Sequence, residues 1–156
     1  MKVALFGGTG FVGSYIIDEL LNNDHEPVVL VREGSESKLN NSKKCKIISG
    51  DVSDVKSIEN TIAGTDAVIY CIGIIREFPR KSVTFEKLHF QAAKECIDVA
   101  KASGVKRFIM MSANGVKVDG TAYQRTKYLA EEYLKFSNID WTIFRPSLIF
   151  GDPRGG

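Results

Sequence analysis

Tyr123 and Lys127 are the pair of residues whose types and spacing could move a proton. They stand four positions apart in a segment, 123–136, whose apolar residues recur with a helical period, so both side chains lie on one helix face. A tyrosine that acts as a general acid or base at neutral pH needs a pKa near 7 instead of about 10, a difference of about 4 kcal/mol. A cation about 4 Å away, at an effective dielectric near 20, supplies about that much. The alternative is a half-buried aromatic ring beside a solvated lysine.

Ser112 could add a hydrogen bond to the same reacting group. It follows a largely apolar run, 107–111, that predicts a strand, and a doubly wound sheet binds its ligands where the strands end. Its hydroxyl could hydrogen-bond the oxygen of a substrate carbonyl or alcohol. The predicted catalytic residues are therefore Ser112, Tyr123 and Lys127.

A glycine-rich segment near the start, residues 7–13, predicts a site for a dinucleotide. It lies between an apolar run, 3–6, and a segment of helical periodicity, and Gly8, Gly10 and Gly13 fit the Gly-x-Gly-x-x-Gly pattern. Glycine permits the tight turn and a close approach of the backbone to a pyrophosphate, which the N–H groups at the helix start would bind. The alternative is an ordinary glycine-rich turn. The predicted cofactor contacts in this segment are Gly7, Thr9, Gly10, Phe11, Val12 and Gly13.

Strand and helix patterns alternate along the whole chain. Apolar runs, typical of parallel strands covered on both faces, are followed by segments with apolar residues at helical spacing. This alternation predicts an α/β fold: one domain over residues 1–156, with a doubly wound parallel sheet, helices on both faces and the strand order 3-2-1-4-5-6. The predicted strands cover 3–6, 27–31, 46–49, 67–72, 107–111 and 141–144. The predicted helices begin after the glycines, at the N-cap Ser53, near Thr84 and at Tyr123.

Composition and charge argue against several other classes of protein. The net charge is only +2 and the basic residues are scattered, which disfavours nucleic-acid binding. No apolar run approaches the roughly 18 residues of a membrane span, and the first apolar segment already belongs to a strand, so we expect no signal peptide. The spacing of the three cysteines and two histidines predicts no metal site, and the cysteine usage favours a reducing, cytoplasmic compartment.

Taken together, these motifs resemble a known superfamily. The glycine turn, Ser112, the Tyr123-x-x-x-Lys127 pair and the segment 144–147 (Phe-Arg-Pro-Ser) are similar to the short-chain dehydrogenase/reductases, especially their extended and atypical members. Those members include NAD-dependent epimerase/dehydratases and the nucleotide-binding accessory subunit of respiratory complex I. The resemblance covers nearly the whole chain and implies a Rossmann fold with hydride transfer between a nicotinamide cofactor and a small-molecule substrate. The alternative is a non-catalytic NADP(H)-binding sensor or accessory subunit.

The resemblance also implies a role for each matching residue. Tyr123 would be the acid or base, Lys127 would also bind the ribose hydroxyls, and Ser112 would orient the substrate. The implied cofactor contacts are Gly7, Gly10 and Gly13 at the pyrophosphate, Asp51 and Val52 at the adenine, Cys71, Ile72 and Gly73 at the nicotinamide-side ribose, and Pro146 and Ser147 beside the nicotinamide.

The chain departs from the family pattern at two points. Many extended members have an asparagine in the long helix where this chain has His89, so any structural or proton-relay role there would be filled differently. Relatives also continue well beyond the sixth strand, and we expect the C-terminal part that supplies most of the substrate pocket to be absent. The chain would then be a fragment, a single domain or a shortened member that binds nucleotide only. Relatives often pair through the helices that here begin near Thr84 and Tyr123, which allows a homodimer.

The residues after the second predicted strand bear on the choice of cofactor. Glu33 lies twenty residues past Gly13, the spacing at which an acidic residue accepts hydrogen bonds from the ribose 2′-hydroxyl of NAD. Arg32 comes first after the strand and could pair with the 2′-phosphate of NADP. We favour NADP, with NAD as the alternative and a surface salt bridge as a third role for Arg32.

Overall fold

A computed structural model describes residues 1–152, which form a six-stranded parallel sheet flanked by helices. The strand order is β3-β2-β1-β4-β5-β6, which confirms the predicted doubly wound α/β arrangement. The strands are β1 (Lys2–Phe6), β2 (Glu26–Val31), β3 (Lys46–Ser49), β4 (Ala67–Tyr70), β5 (Arg107–Met111) and β6 (Asp140–Phe144).

Helices connect consecutive strands except β2 and β3, which are joined by a segment with two short 3-10 turns. The α-helices of residues 1–152 are α1 (Phe11–Asn22), α2 (Val55–Ile62), α3 (Ala92–Ala102) and α4 (Ala122–Lys135). A π-helical turn, Glu86–Gln91, leads directly into α3, so the long helix predicted from Thr84 has a widened first part. No helix in this part of the chain has the length and hydropathy that crossing a membrane requires.

The central strands are buried on both faces, which explains their continuous apolar runs. In β1 the side chains alternate: Phe6 belongs to a core cluster shared with α2, α3 and α4, and Leu5 to a second cluster on the α1 side. Ile58, Ile97 and Ile17 are among the fully buried helix residues of these two clusters. Because helices cover both faces, the carboxyl ends of the parallel strands form the edge where a ligand can bind.

Two local boundaries differ from the predictions. Helix α2 has Asp54 rather than Ser53 as its N-cap, because the Asp54 carboxylate accepts hydrogen bonds from two backbone N–H groups of the first turn. Ser53 instead donates its hydroxyl to Asp51, at 2.6 Å. Strand β4 ends at Tyr70, two residues before the predicted end at Ile72.

Candidate functional site

The carboxyl edge of the sheet collects the residue groups that were predicted for the site. In sheet order they are Asp51 and Val52 after β3, Arg32 after β2, the glycine turn after β1, Cys71, Ile72 and Gly73 after β4, Ser112 after β5, and Pro146 and Ser147 after β6. Tyr123 and Lys127 reach this edge from α4. A doubly wound sheet binds its ligand where the strand order reverses, which is between β1 and β4 here.

Gly7 and Gly13 are required by the fold of the glycine turn itself. Gly7 has a φ of +97°, which other residues rarely adopt, and a Cβ there would lie 3.0 Å from Cys71. A Cβ on Gly13 would lie 2.1 Å from the carbonyl oxygen of Gly7. Helix α1 therefore begins against the end of β1 at a distance that only glycine allows.

Gly10 differs, because the chain itself leaves room for a side chain at this position. It is the N-cap of α1 with a φ of −83°, and a Cβ would meet only the Gly7 carbonyl oxygen, at 3.3 Å. Among the residues that the structure describes, no side chain caps this helix start. The first N–H groups of α1 are therefore available to an anion. Because the fold itself does not require glycine at position 10, its missing side chain is explained by a pyrophosphate that approaches the backbone closely.

Tyr123 and Lys127 share one face of α4, as their spacing predicts. The Lys127 Nζ atom lies 5.7 Å from the centroid of the Tyr123 ring and donates a hydrogen bond to the Met111 carbonyl oxygen at 3.4 Å. Lys127 is only 6% exposed, and burial lowers its pKa to about 8 although the Glu131 carboxylate acts to raise it. The Tyr123 hydroxyl has no hydrogen-bond partner within residues 1–152, so it can bind a ligand.

The pKa of Tyr123 moves in the direction opposite to the expected one. Its half-buried ring packs edge-on against Phe85 and His89, with centroids 5.6 Å and 5.1 Å away, and burial raises the pKa of the phenol. The Lys127 cation does not offset this effect, since it lies beside the ring and its own pKa is lowered. Tyr123 is therefore protonated at neutral pH, which is the form that donates a proton.

Ser112 lies at the end of β5 as predicted, but its hydroxyl is buried. Its backbone N–H donates to the Phe144 carbonyl oxygen at 2.7 Å, which joins the ends of β5 and β6. Within residues 1–152, its hydroxyl oxygen is the one buried side-chain polar atom without a hydrogen-bond partner; it faces Glu131 without reaching hydrogen-bond geometry. Ser112 lines, with Lys127 and His89, a cavity of about 10 Å³, close to the space that one water needs.

Glu131 and Arg145 form an ion pair that was not predicted from the sequence. The Glu131 carboxylate is fully buried and accepts a hydrogen bond from Arg145 Nε at 3.0 Å, together with a contact from Nη2. Burial alone would raise the pKa of Glu131, but the contacts with Arg145 and Ser112 lower it below its usual value. The pair joins the exit of β6 to α4, one helical turn after Lys127. The two residues lie 14 positions apart, in α4 and after β6, so no helical spacing in the sequence signals this pair.

Arg32 and Glu33 are exposed immediately after β2, beside the glycine turn. Neither side chain makes a hydrogen bond or ion pair with another residue of the described chain, so the surface salt bridge considered for Arg32 is not formed there. After β3, the Asp51 carboxylate accepts the Ser53 N–H at 2.8 Å, and Val52 is 7% exposed and packs in the core. At the predicted adenine position, Val52 therefore offers its backbone rather than its side chain.

The segment after β4 lies next to Lys127. A Cβ on Gly73 would be 3.6 Å from Lys127 Nζ, so this exposed glycine borders the lysine of the Tyr123–Lys127 pair. The Cys71 thiol donates to a β1 carbonyl oxygen at 3.1 Å, and burial raises its pKa to about 12, which makes it unreactive. Ile72 is half-buried against the core. Gly73 is thus the residue of the three that is most open to a ribose.

The segment after β6 is fixed to the end of β5. The Asn114 N–H donates to the Pro146 carbonyl oxygen at 2.9 Å, which places Pro146 beside the exit of the neighbouring strand. Ser147 is exposed, and so are the apolar residues 148–150 that follow it. Pro146 and Ser147 therefore border the same edge as Ser112.

His89 is buried, with 2% of its surface exposed. Its Nε2 accepts a hydrogen bond from the Ile74 N–H at 3.1 Å, and its Nδ1 lies 3.3 Å from Thr126 Oγ1. The ring stacks on Phe85 with centroids 5.2 Å apart and meets the Tyr123 ring edge-on. Burial lowers the pKa of His89 to about 3. Nothing in the sequence indicated that Thr126 would take part.

These features define the class of protein. A doubly wound parallel sheet in this strand order, with a glycine turn at the start of α1 and a tyrosine–lysine pair at the carboxyl edge, is a dinucleotide-binding Rossmann domain of the short-chain dehydrogenase/reductase type. Comparison with known families agrees with this class: residues 7–156 match the family described as NAD(P)H-binding. The chain belongs to that NAD(P)H-binding family, which confirms the resemblance seen in the motifs.

Curated relatives include both enzymes and subunits of larger complexes. The chain is 25% identical over 150 residues to ceramide reductase of Caulobacter vibrioides, covering 96% of this chain and 46% of the relative. It is 30% identical over 155 residues to mitochondrial NADH dehydrogenase (ubiquinone) 1 alpha subcomplex subunit 9 of Arabidopsis thaliana, covering 94% of this chain and 38% of the relative. The chain thus spans less than half the length of these two relatives.

Solved structures show the same architecture. A Bacillus halodurans structure, provisionally described as an NAD-dependent epimerase/dehydratase, superposes with a TM-score of 0.81 at 32% identity, covering 94% of this chain and 70% of that one. A Bordetella bronchiseptica enzyme in complex with NAD+ gives a TM-score of 0.77 at 20% identity, covering 92% of this chain and 55% of that one. The second likeness supports the fold alone.

Proposed function

We propose that this chain is the cofactor-binding and proton-transferring part of an NADP(H)-dependent oxidoreductase of the reductase or epimerase type. The observation that carries the proposal is the Tyr123 hydroxyl, which has no partner within residues 1–152 and belongs to a ring that lies beside the buried Lys127. The uncapped start of α1 at Gly10 supports a bound pyrophosphate. Relatives named as ceramide reductase and 3-beta-hydroxysteroid dehydrogenase support hydride-transfer chemistry.

In the proposed reaction the residues of this chain hold and move a proton. The reduced nicotinamide, when bound, would supply a hydride to the carbonyl carbon of the substrate. Tyr123 would donate its phenolic proton to the carbonyl oxygen, which becomes an alcohol. Lys127 would bind the ribose hydroxyls, and its charge would stabilise the phenolate that remains. Ser112, whose hydroxyl is buried, would orient the substrate oxygen through one water in the cavity that it lines. Because the phenol is protonated at neutral pH, the arrangement favours reduction.

The experiment that tests the catalytic proposal is Tyr123→Phe in the longest form of the protein. Phenylalanine keeps the ring contacts with Phe85 and His89 and removes only the hydroxyl. We expect turnover of small carbonyl substrates, followed by NADPH absorbance, to fall about 100-fold or more. Tyr133→Phe, on the same helix but hydrogen-bonded to Asp98, is the matched control. Full turnover by Tyr123→Phe would refute the mechanism.

The choice of NADP over NAD is proposed from Arg32. Its guanidinium is exposed at the end of β2 and has no ion-pair partner within residues 1–152, which suits the 2′-phosphate of NADP. We expect Arg32→Ala to weaken NADP binding by about tenfold or more and to leave NAD binding unchanged. Unchanged NADP affinity would overturn the assignment. Glu33→Ala is the matched control, and a loss of NAD affinity in that variant would favour NAD instead.

A second candidate function is nucleotide binding without catalysis, as a sensor or accessory subunit. The observation that favours it is the raised pKa of Tyr123, which no residue within 1–152 offsets. The likeness to subunit 9 of the mitochondrial NADH dehydrogenase supports it as well. The two functions differ in one assay: the sensor binds NADPH, but its longest form turns over none of the carbonyl substrates.

We also propose a cytoplasmic location and pairing of two copies. Cys45, Cys71 and Cys96 are all free thiols, which suits a reducing compartment. Helices α3 and α4 pack side by side in the structure, and this supports their outer faces as the proposed surface for a second copy. Light scattering of the purified protein tests the pairing, and a monomeric mass at micromolar concentration would refute it.

A further inference from the structure

A chain of polar contacts runs from the segment after β4 to the first turn of α4. The Ile74 N–H donates to His89 Nε2 at 3.1 Å, and His89 Nδ1 lies 3.3 Å from Thr126 Oγ1. The Thr126 hydroxyl donates a hydrogen bond to the Ala122 carbonyl oxygen at 2.8 Å. This bond links the His89 ring, through Thr126, to the helical turn that carries Tyr123. The contacts therefore connect two elements that both border the proposed nicotinamide position.

The donors and acceptors of this chain allow one tautomer of His89. Because Nε2 accepts the Ile74 N–H, it carries no hydrogen, and the neutral imidazole must then carry its proton on Nδ1. That proton is donated to Thr126 Oγ1, and the Thr126 hydroxyl donates onward to a backbone carbonyl oxygen. With the proton on Nδ1, each buried donor in this chain of contacts has an acceptor. With the proton on Nε2, two N–H groups, those of His89 and Ile74, would point at each other.

The surroundings of His89 disfavour a charged imidazole as well. The ring is 2% exposed, stacks on Phe85, and meets the edge of the Tyr123 ring. Lys127 is the nearby cation and repels a second positive charge, while burial has the larger effect on the pKa of His89. Tyr70 and Ser112, which line the same cavity, are not anions at neutral pH. His89 therefore stays neutral and cannot relay a proton.

We propose that His89 is a positioning residue, a permanently neutral imidazole that fixes the Ile74 backbone to the first turn of α4 and so sets where the Tyr123 ring stands. The inference rests on the proposed function of Tyr123. The π-helical turn Glu86–Gln91 is the local device that presents this ring to both elements. Such turns are frequent at functional sites, and this one directs a histidine into the core beside a predicted proton donor.

The first test measures the protonation state of His89 by ¹⁵N NMR. A His25→Gln variant leaves one histidine in the chain and simplifies the spectrum. We expect the Nδ1–H tautomer throughout, with no protonation between pH 8 and about pH 5. The Nε2–H tautomer, or protonation above about pH 5, would overturn the proposal. This measurement needs neither cofactor nor substrate.

The second test removes the hydrogen bonds and keeps the ring. His89→Phe retains an aromatic ring against Phe85 and Tyr123 but leaves the Ile74 N–H without its acceptor. We expect hydrogen exchange of the Ile74 amide to become about tenfold faster, and kcat in the longest form to fall about tenfold. Ile97→Val, also in a buried position of the same long helix, is the control for lost stability and should leave both quantities unchanged. Unchanged exchange or unchanged kcat in His89→Phe would overturn the proposal.

The failure of this inference and the failure of the proposed function can be told apart. If Tyr123→Phe turns over substrate fully, the catalytic proposal fails, while the tautomer and the Ile74 exchange rate still report on the hydrogen bonds of His89. Thr126→Val cuts the second contact with little change of shape, and the double variant with His89→Phe should be no worse than His89→Phe alone. Additive losses of kcat in the double variant would show that the two residues do not act through one chain of contacts.

Discussion

Replacing Lys127 by methionine should stabilise the protein at neutral pH. Lys127 is 6% exposed, and burial, partly offset by Glu131, lowers its pKa from 10.5 to about 8. Since the folded protein binds this proton less tightly than the unfolded chain, burying the charged lysine costs free energy at every pH below about 8. The two pKa values are about 2.5 pH units apart, and at 1.36 kcal/mol per unit the cost is about 3 kcal/mol.

The gain in stability should disappear within a defined range of pH. Between pH 8 and 10.5 the folded protein gives up the Lys127 proton while the unfolded chain keeps it, so the wild-type protein gains stability as the pH rises. Methionine has no proton to lose, and the difference between variant and wild type should therefore shrink toward zero by about pH 10.5. Comparing the two proteins at each pH cancels the titration of the groups that do not interact with Lys127.

Urea unfolding followed by circular dichroism at pH 7 and at pH 10.5 checks this expectation. Lys135→Met is the matched control, because Lys135 lies on the same helix, is 31% exposed and pairs with Glu132, so its effect should stay below about 1 kcal/mol. A Lys127→Met variant no more stable than wild type at pH 7 would refute the reasoning. A gain that persists unchanged at pH 10.5 would show that apolar packing, not charge, is responsible. We also expect the variant to bind NADPH more weakly.

Two further predictions concern the glycine turn and the Glu131–Arg145 pair. Gly10→Ala should change stability by no more than about 1 kcal/mol but weaken NADPH binding about 100-fold, because its Cβ would enter the pyrophosphate position. Wild-type NADPH affinity in Gly10→Ala would contradict the pyrophosphate position assigned to Gly10. Gly13→Ala should lose about 3 kcal/mol of stability, since its Cβ would lie 2.1 Å from a carbonyl oxygen. Glu131→Gln should cost about 2 kcal/mol at pH 7, a value reduced from that of a fully buried pair because Arg145 is 46% exposed. Because the pKa of the Glu131 carboxyl is lowered in the folded state, the ion pair contributes its full stability above about pH 4.5 and loses it as the pH falls through the lowered pKa. If urea unfolding shows that Glu131→Gln costs the same stability at pH 7 and at pH 3, the pairing is contradicted.

The sequence could predict the arrangement of the sheet but not the surroundings of His89. Apolar runs and the glycine turn are local patterns that can be recognised from residues close together in the sequence. They indicated buried parallel strands and a strand-to-helix turn, and the predicted strand order is confirmed. The burial of His89 depends on a π-helical turn, which changes the face that each residue presents and has no periodicity signal of its own. Thr126 takes part only because α4 packs against that turn. The roles proposed for Ser112, Tyr123 and Lys127 remain predictions.

Three departures from ordinary packing rules meet at the proposed site. The buried charge of Lys127 lowers stability, the Ser112 hydroxyl is buried without a hydrogen-bond partner, and the Tyr123 hydroxyl has none within the described chain. Methionine, alanine and phenylalanine at these positions would keep the helix and strand contacts and remove each of these features. Departures of this kind, if they were unrelated, would have no reason to share one edge of the sheet. A dinucleotide bound at the glycine turn, on the adjoining strand, would bring ribose hydroxyls to this edge and give hydrogen-bond partners to Lys127 and Tyr123.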